Sequence, residues 1–383
     1  MIILEKPYVS ETLIRTAMTK NLPVLRNTMS EQLAGRGYGL NLLGDDEFVA
    51  EYLKRGRLYT MSENALGWIV EHLPNPELLQ KIELLKNKAT FRRICKDMYP
   101  DFHFEEVAIS GLKDIDTGSL HFPLVLKPSV GFLSAGVYVV NNSGEWAKAI
   151  ADIDRNFRKV GEQFPEFVVG TQNFLIEDYI RGEEYAVDAY FDSEGEPVIL
   201  NIYHHRFASE ADTSDRLYCS SLELYNRYEK TFTDFLTATN NVIGLRNFPM
   251  HIEFRYDGKT AIPIEINPLR FAGFCLNELQ THISGTHPIV AYLENIRITK
   301  EEMWRGKEND TYSFLVLERP SDVAADKVFD CEKFRRTLMD VVELRPITDA
   351  NVGVAATAFT RTDKAHLSEL DYILNLDMHD FMK

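Results

Sequence analysis

Three segments that follow one another in a fixed order constrain the fold of this 383-residue chain more than any other feature. Residues 122–136 begin as an apolar strand and continue into small residues, and residues 174–185 lead from a second apolar strand into an acidic turn. Residues 251–255 and 264–268 alternate apolar and polar side chains on either side of a turn. Alternation with a period of two is typical of half-buried β-strands. The middle of the chain is therefore predicted to be built from antiparallel sheet.

The first 86 residues alternate short strands and helices. Apolar runs of strand length occupy residues 2–4 and 22–25, and the apolar positions between residues 9 and 20 recur with helical spacing. Such alternation predicts a small parallel sheet with helices on its faces. No Gly-x-Gly-x-x-Gly motif follows the first strand, so dinucleotide binding is not predicted. Because the chain alternates again after about residue 310, the predicted fold class is α/β with α+β lobes.

Composition and charge restrict the partners of the chain. Lys and Arg number 42 against 58 Asp and Glu, and the resulting net charge of −16 argues against nucleic acid as the main partner. No apolar run approaches the roughly 20 residues that span a bilayer, and the N-terminus lacks a signal-peptide pattern. The four cysteines show no metal-binding spacing and are expected to be buried thiols. We therefore expect a cytoplasmic protein with no nucleic-acid or membrane partner.

Lys127 and the small residues behind it form the first candidate site. A lysine at the end of a buried strand is costly unless it meets an anion. Ser134 and Gly136 belong to a stretch of small residues that lets backbone N–H groups approach a phosphate. The stretch is not a Walker loop, because Gly-x-x-x-x-Gly-Lys-Ser/Thr is missing. The pattern indicates phosphate binding, and a surface hairpin with a lysine at its base is the alternative.

A strand that runs into an acidic turn forms the second candidate site. Glu177, Tyr179 and Ile180 end the strand, and Glu184 follows after Gly182. Adenine needs an apolar slot with backbone hydrogen bonds, and ribose hydroxyls suit a carboxylate acceptor. The segment could therefore hold a nucleoside, and an exposed acidic turn is the alternative that the same residues allow.

Two glutamates on a predicted hairpin form the third candidate site. Glu253 and Glu265 lie 12 residues apart, and strand alternation places Asn267 on the same face as Glu265. Mg²⁺ prefers few carboxylates together with phosphate oxygens. Two facing carboxylates without a cation would raise each other's pKa. The hairpin therefore indicates a divalent-metal site, and a polar outer face of the sheet is the alternative.

Together the three segments resemble the ATP-grasp enzymes, in particular the branch that includes biotin carboxylase, carbamoyl-phosphate synthetase and glycinamide ribonucleotide synthetase. The resemblance implies an ATP-grasp fold in three parts. A Rossmann-like pre-ATP-grasp α/β domain would occupy residues 1–86, and the ATP-grasp domain would occupy residues 87–305 with its lid at about 110–178. A small C-terminal α/β subdomain would occupy residues 306–383.

The resemblance also implies which residues bind ATP. The nucleotide ligands would be Lys88, Lys127, Ser134, Gly136, Glu177, Tyr179, Ile180 and Glu184. Within this set, Glu177 and the main chain of Tyr179 and Ile180 would hold adenine. Glu184 would bind the ribose hydroxyls, and the glycine loop would close over the phosphates. Lys88 lies 39 residues before Lys127, near Asn87, where two predicted helices meet.

By the same resemblance, Glu253, Glu265 and Asn267 would bind Mg²⁺ or Mn²⁺. Arg270 would fill the role of the family's arginine, although it stands one position later than in the usual Glu-x-Asn-Pro-Arg motif. Arg270 and Arg206 would be the catalytic cations that bind the transferred phosphoryl group or a substrate carboxylate.

Four neighbouring features are assigned less specific roles. Arg92 and Arg93 are expected to be exposed charges on the helix that begins near Lys88. Asp188 is expected to assist the metal or to orient Arg206, and a solvated strand carboxylate is the alternative. His204 and His205 are adjacent on a strand and cannot chelate together. The polar residues 208–221 are expected to form a loop that covers the substrate.

The activity that the resemblance implies is ATP- and Mg²⁺-dependent, ADP-forming ligation. ATP would phosphorylate a substrate carboxylate, and an amine would then displace phosphate from the acyl phosphate. Amino acids are the favoured substrates because Arg206 and Arg270 could each clamp a carboxylate. A small-molecule kinase and a catalytically inactive ATP-binding sensor are the alternative hypotheses. The expected partners are small-molecule carboxylates and amines, and a homodimer is compatible with the sequence.

Overall fold

The computed structural model describes residues 1–130, 136–157, 173–209, 212–348 and 352–383. Within these ranges the strands form three sheets that follow one another along the chain, which agrees with the predicted α/β class. The helices of the described residues are α1 (Glu11–Thr19), α2 (Thr28–Gly35), α3 (Asp45–Arg55), α4 (Leu66–His72), α5 (Pro76–Lys86), α6 (Lys88–Cys95), α7 (Ser143–Asp152), α8 (Leu222–Ile243), α9 (Leu279–Ser284), α10 (Pro288–Glu294), α11 (Lys300–Met303), α12 (Cys331–Thr337) and α13 (Ser368–Leu374).

The first sheet is parallel, as the alternating pattern predicts. Its strands are β1 (Ile2–Ile3), β2 (Pro23–Leu25), β3 (Asn41–Leu43) and β4 (Tyr59–Thr60), and they lie in the order β3-β2-β1-β4. The sequence pattern does not reveal α2 or β3, because both are short and only partly buried. Parallel strands end at one edge of their sheet, and Glu63 follows β4 at that edge.

The second sheet is antiparallel and is preceded by two helices that meet at one residue. The N–H of Asn87 donates to Glu83 O at the end of α5, and its side chain accepts the N–H of Thr90 at the start of α6. The meeting point predicted near Asn87 is confirmed. The strands of this sheet are β5 (Phe104–Ala108), β6 (Leu124–Pro128), β7 (Tyr138–Val140) and β8 (Asn173–Asp178), in the order β5-β8-β6-β7.

The third sheet is the largest and is antiparallel throughout. Its strands are β9 (Glu183–Phe191), β10 (Pro197–Arg206), β11 (Leu217–Ser221), β12 (Phe248–Tyr256), β13 (Ala261–Pro268), β14 (Asp310–Glu318), β15 (Val341–Pro346) and β16 (Val354–Asp363). They lie in the order β13-β12-β9-β10-β11-β14-β16-β15. One face buries apolar side chains against α8, and Phe232 and Phe235 of that helix pack on Phe254. The opposite face carries the polar side chains of the candidate site.

Strands from the last part of the chain continue this same sheet. Strand β14 pairs with β11, and β16 and β15 follow it to the sheet edge. The expected covering loop at residues 208–221 is therefore only partly correct, since β11 occupies its end. The reason is that Leu217 and Cys219 alternate with polar residues and are buried. The domain boundaries predicted at residues 86 and 305 stay a prediction.

Two features of composition can be compared directly with the structure. All four cysteines are free, and Cys95, Cys219 and Cys275 are buried, as expected, while Cys331 is partly exposed. Among the helices of the described residues, none combines the length and the apolar character that a membrane span requires.

Candidate functional site

The two candidate metal carboxylates lie directly opposite each other. Strands β12 and β13 are joined by a turn at Asp257, whose side chain accepts two backbone N–H groups, and the register pairs Glu253 with Glu265. Asn267 lies two residues further along β13 and donates from Nδ2 to Glu265 Oε1 at 3.2 Å. The sequence-based placement of these three side chains on one face is consistent with this geometry.

The pKa values of the two carboxyls are shifted in opposite directions. Burial and the charge of Glu265 raise the pKa of Glu253. Burial would also raise the pKa of Glu265, but the ammonium of Lys88, at 2.9 Å, and that of Lys86 hold it below the usual range. No group of three or more His, Cys, Asp or Glu side chains in the described ranges could hold a metal on its own. Two carboxylates and an amide oxygen are ligands of the kind that a divalent cation takes together with phosphate oxygens, and the metal role of these three residues stays a prediction.

Lys88 and Lys127 come from different elements and lie in one electrostatic cluster. The backbone N–H of Lys88 donates to Ser129 O at 2.7 Å, which ties the start of α6 to the end of β6. Lys127 Nζ lies 2.6 Å from Glu177 Oε1. Burial lowers the pKa of Lys127, and the nearby charges of Arg92 and Lys88 lower it further against the opposing effect of Glu177. The structure thus brings Lys88 onto Glu265 of the β12–β13 hairpin and places Lys127 in the same group of buried charges.

Arg92 connects the second sheet to the third. Its guanidinium donates to both oxygens of Glu177, at 2.8 and 3.3 Å, and to Pro263 O in β13. The expectation that Arg92 is an exposed helix charge is wrong, because α6 packs between the two sheets and buries this face; Arg93 does point outward and pairs with Glu106. Burial would raise the pKa of Glu177, but Arg92 and Lys127 lower it to about 2.

The predicted adenosine residues lie between these sheets. After β8, the N–H of Tyr179 donates to Pro123 O at 3.3 Å. Glu184 Oε1 lies 2.8 Å from His205 Nδ1, and Arg255 donates to Glu184 Oε2 at 3.1 Å and to the Tyr179 hydroxyl at 3.3 Å. Glu184 lies on the face that carries Glu253, because β9 pairs Glu184 with Arg255 two residues further on. The roles of Glu177, Tyr179, Ile180 and Glu184 in nucleotide binding stay predictions.

Arg270 reaches the first sheet. Its guanidinium donates to Glu63 Oε1 at 3.0 Å, and the other oxygen of Glu63 pairs with Lys86. Arg270 follows Leu269, a non-glycine residue at φ +60°, so the chain turns sharply as it leaves β13. Glu63 and Lys86 are not part of any recognised sequence motif. Only the structure shows that they lie beside Arg270.

Arg206 does not join the site. His205 points toward Glu184, so the adjacent Arg206 points to the other face of the sheet, where its guanidinium pairs with Asp371 at 2.7 Å. The expectation that Arg206 is a catalytic cation beside Arg270 is therefore wrong. The idea that Asp188 orients Arg206 is wrong for the same reason, because Asp188 accepts from His251 on the site face.

The predicted phosphate-covering loop is only partly described. Ser134 lies outside the described residues. Gly136 has φ +74°, the left-handed backbone conformation that glycine adopts without a steric penalty. The role of both residues in phosphate binding stays a prediction.

Comparison with known proteins was made for the sequence and for the fold. Residues 120–278 match the family model of the ATP-grasp domain. The fold is similar to that of the L-amino acid ligase from Bacillus licheniformis, with a TM-score of 0.68 and 16% identity over 100% of this chain and 97% of that chain. None of the curated proteins compared with the chain matches it.

Two further solved structures share the fold. The biotin carboxylase from Campylobacter jejuni, solved as a complex with β-γ-ATP, has a TM-score of 0.62 and 12% identity over 94% of this chain and 87% of that chain. Phosphoribosylglycinamide synthetase from Anaerococcus prevotii has a TM-score of 0.60 and 13% identity over 100% and 98% of the two chains. At such identities the likeness shows the fold.

Proposed function

We propose that this chain, in which residues 120–278 match the family model of the ATP-grasp domain, is an ADP-forming, ATP- and Mg²⁺-dependent ligase that joins a carboxylate to an amine. The observation that carries the proposal is one continuous cluster of charges. It runs from Lys127 through Lys88 to the facing carboxylates of Glu253 and Glu265. Cations for phosphates and oxygen ligands for a metal are the two things a triphosphate site needs.

The cations are held ready by buried partners. Glu177, which is itself held by Arg92, fixes the side chain of Lys127, and the backbone bond from Lys88 to Ser129 fixes the start of α6 beside it. Fixed cations stabilise developing phosphoryl charge without reorganisation during the reaction. Mg²⁺ would be held by Glu253, Glu265 and Asn267, where it would neutralise phosphate charge.

The substrate carboxylate is assigned to Arg270. Its guanidinium already holds a carboxylate, that of Glu63, at the edge where the first and third sheets meet. A substrate carboxylate that takes this position would lie beside the metal strands, and phosphoryl transfer to it would give the acyl phosphate. An amine then attacks the acyl carbon and phosphate leaves. We propose amino acids as the substrate class, because a guanidinium binds a carboxylate in a two-bond geometry.

The test is product analysis on the purified chain. Mg-ATP is incubated with a panel of amino acids, singly and in pairs, and ADP, phosphate and products are measured by coupled assay and mass spectrometry. A ligase releases phosphate continuously only when both substrates are present, and Glu265→Gln abolishes this release. A phosphorylated amino acid that accumulates without any coupled product would instead identify a kinase, and ATP binding without turnover across the panel would identify a sensor.

A further inference from the structure

Asp188 is a buried carboxylate at the centre of the third sheet. It accepts from His251 Nδ1 at 2.9 Å, from the N–H of Ala272 at 2.7 Å and from the hydroxyl of Tyr203 at 2.8 Å. Its side chain is 1% exposed, and a buried carboxylate is retained only where donors satisfy it. These donors come from β12, from β10 and from the segment after β13, so one carboxylate connects separate parts of the site.

His251 lies between Asp188 and the proposed metal ligand Glu253. Nδ1 of His251 is the donor of the bond to Asp188, because a carboxylate oxygen is the acceptor. The opposite ring nitrogen, Nε2, lies 3.6 Å from Glu253 Oε1. His251 and Glu253 are two residues apart on the same face of β12, and His251 is buried, so the ring has little room to turn.

The bond to Ala272 reaches the proposed substrate arginine. Ala272 lies two residues after Arg270, on a segment with three non-glycine residues at positive φ, namely Leu269, Phe274 and Cys275. Such conformations persist only where surrounding contacts hold them. The N–H of Ala272 on Asp188 is one of those contacts, and it fixes the backbone from which Arg270 extends to Glu63.

We propose that Asp188 and His251 are positioning residues that set the carboxylate of Glu253 for a divalent metal and hold the segment that carries Arg270. The inference rests on the proposed function, since it needs the metal site. The polar contacts of Asp188 and His251 join them to each other, to Tyr203, to Ala272 and to Glu253, whereas the proposed nucleotide lysines extend from α6 and β6. Loss of the His251 nitrogen that faces Glu253 therefore weakens the binding of metal and leaves the binding of metal-free nucleotide as it was.

The experiment measures Mn²⁺ and ADP binding on the full chain by calorimetry, with Mn²⁺ binding confirmed by electron paramagnetic resonance. His251→Asn keeps an amide near the level of Nδ1, where it can donate to Asp188, and removes the nitrogen that faces Glu253. His204→Asn is the matched control, because His204 lies on the opposite face of the sheet. We expect His251→Asn to weaken Mn²⁺ binding in the presence of ADP by about tenfold or more. The Kd for ADP without metal and the binding behaviour of His204→Asn stay at the wild-type values.

The outcomes separate the two proposals. Wild-type binding of Mn²⁺ with ADP and equal binding by His251→Asn would overturn the positioning role and leave the metal site standing. A wild-type chain that binds ADP with no Mn²⁺ uptake would overturn the metal site and the positioning role together. A parallel loss of metal-free ADP binding would show a general structural effect and overturn the inference. If His251→Asn does not fold, His251→Phe, which keeps a planar ring but removes both nitrogens, tests the contacts to Asp188 and Glu253 together by the same measurements.

Discussion

At the scale of the residue, the site is a set of buried charges that neutralise one another before any ligand binds. Lys88 pairs with Glu265, and Lys127 and Arg92 both pair with Glu177. Only some of these five residues can be recognised from the sequence. Lys127 and Glu265 are marked by motifs. No motif marks Arg92. Helical periodicity shows on which face of α6 it lies, but it does not show which sheet packs against that face. Arg206 shows the converse. An arginine suits the predicted role, but the strand register places this side chain on the other face of the sheet, and the register cannot be read from the sequence.

Lys127→Met is predicted to weaken ADP binding by tenfold or more, because it removes a cation that we assign to the phosphates, at a cost of about 1.4 kcal/mol or more. Glu177 keeps Arg92 as its partner in this variant, so the buried carboxylate stays paired. Calorimetric titration with ADP measures the change. Arg206→Met is the control, since its guanidinium lies on the other face of the sheet. Equal affinities for Lys127→Met and wild type would remove Lys127 from the site.

Glu177→Gln is predicted to lower the free energy of unfolding at pH 7 by about 3 kcal/mol, because it leaves two buried cations without their carboxylate. Burial would raise the pKa of Glu177, but Arg92 and Lys127 bring it from 4.5 down to about 2 in the folded chain. A carboxyl with a lowered folded-state pKa stabilises the fold above its unfolded pKa and loses that effect as pH falls. The gap between wild type and Glu177→Gln should therefore narrow below about pH 4.5.

Urea unfolding at a series of pH values between about 7 and 3 gives both curves. The exposed Glu31→Gln is the control and should show no comparable gap at pH 7. A wild-type advantage that stays constant down to pH 3 would contradict the assigned ionisation of Glu177.

At the scale of the element, a single cap places the lysines of the site. Asn87 ends α5 and begins α6, so Lys86 and Lys88 on its two sides reach Glu63 and Glu265 respectively. The break was predictable from the sequence because asparagine is a strong helix cap. The partners of the two lysines were not, since they come from the first and third sheets and depend on how the sheets pack.

Asn87→Ala is predicted to cost about 1 kcal/mol of stability through the lost cap. It should also weaken ADP binding severalfold, because the start of α6 carries Lys88. Asn75→Ala is the matched control, since Asn75 caps α5 by the same kind of bond, from Leu78 N–H, away from the lysines. Urea unfolding and ADP titration of both variants give the comparison. The same loss of ADP affinity in Asn75→Ala would show that the effect is not local to Asn87.

At the scale of the whole molecule, the first sheet was predictable and the extent of the third was not. The alternation of apolar runs before residue 86 gave a parallel sheet, because each strand and helix is encoded locally. The third sheet pairs β11 with β14, which lie far apart in the sequence. A hydrophobic pattern can predict that a segment is a strand, but it does not show which strand will pair with it. Residues 306–383 were expected as a subdomain, and their strands lie in the sheet that carries the site.

Because β14, β16 and β15 extend the sheet beyond β11, a chain that ends at residue 305 would present β11 as a bare edge. Its unpaired N–H and C=O groups, flanked by the buried Leu217 and Cys219, form a template for another strand. We predict that this truncated chain aggregates, as light scattering would measure. Supplying residues 306–383 as a separate polypeptide should restore a dispersed particle. A monomeric truncated chain with unchanged thermal stability would contradict the prediction.

The ion pair between Lys88 and Glu265 has a consequence for the order in which ligands arrive. The ammonium of Lys88 already lies beside the carboxylate that a metal ion from solution would bind. A free metal ion therefore has to displace a cation that is covalently part of the chain. A polyphosphate chain offers that tethered ammonium a better anion and so releases the carboxylate. We therefore expect the proposed metal site to take up its cation together with the nucleotide and to bind the bare ion weakly.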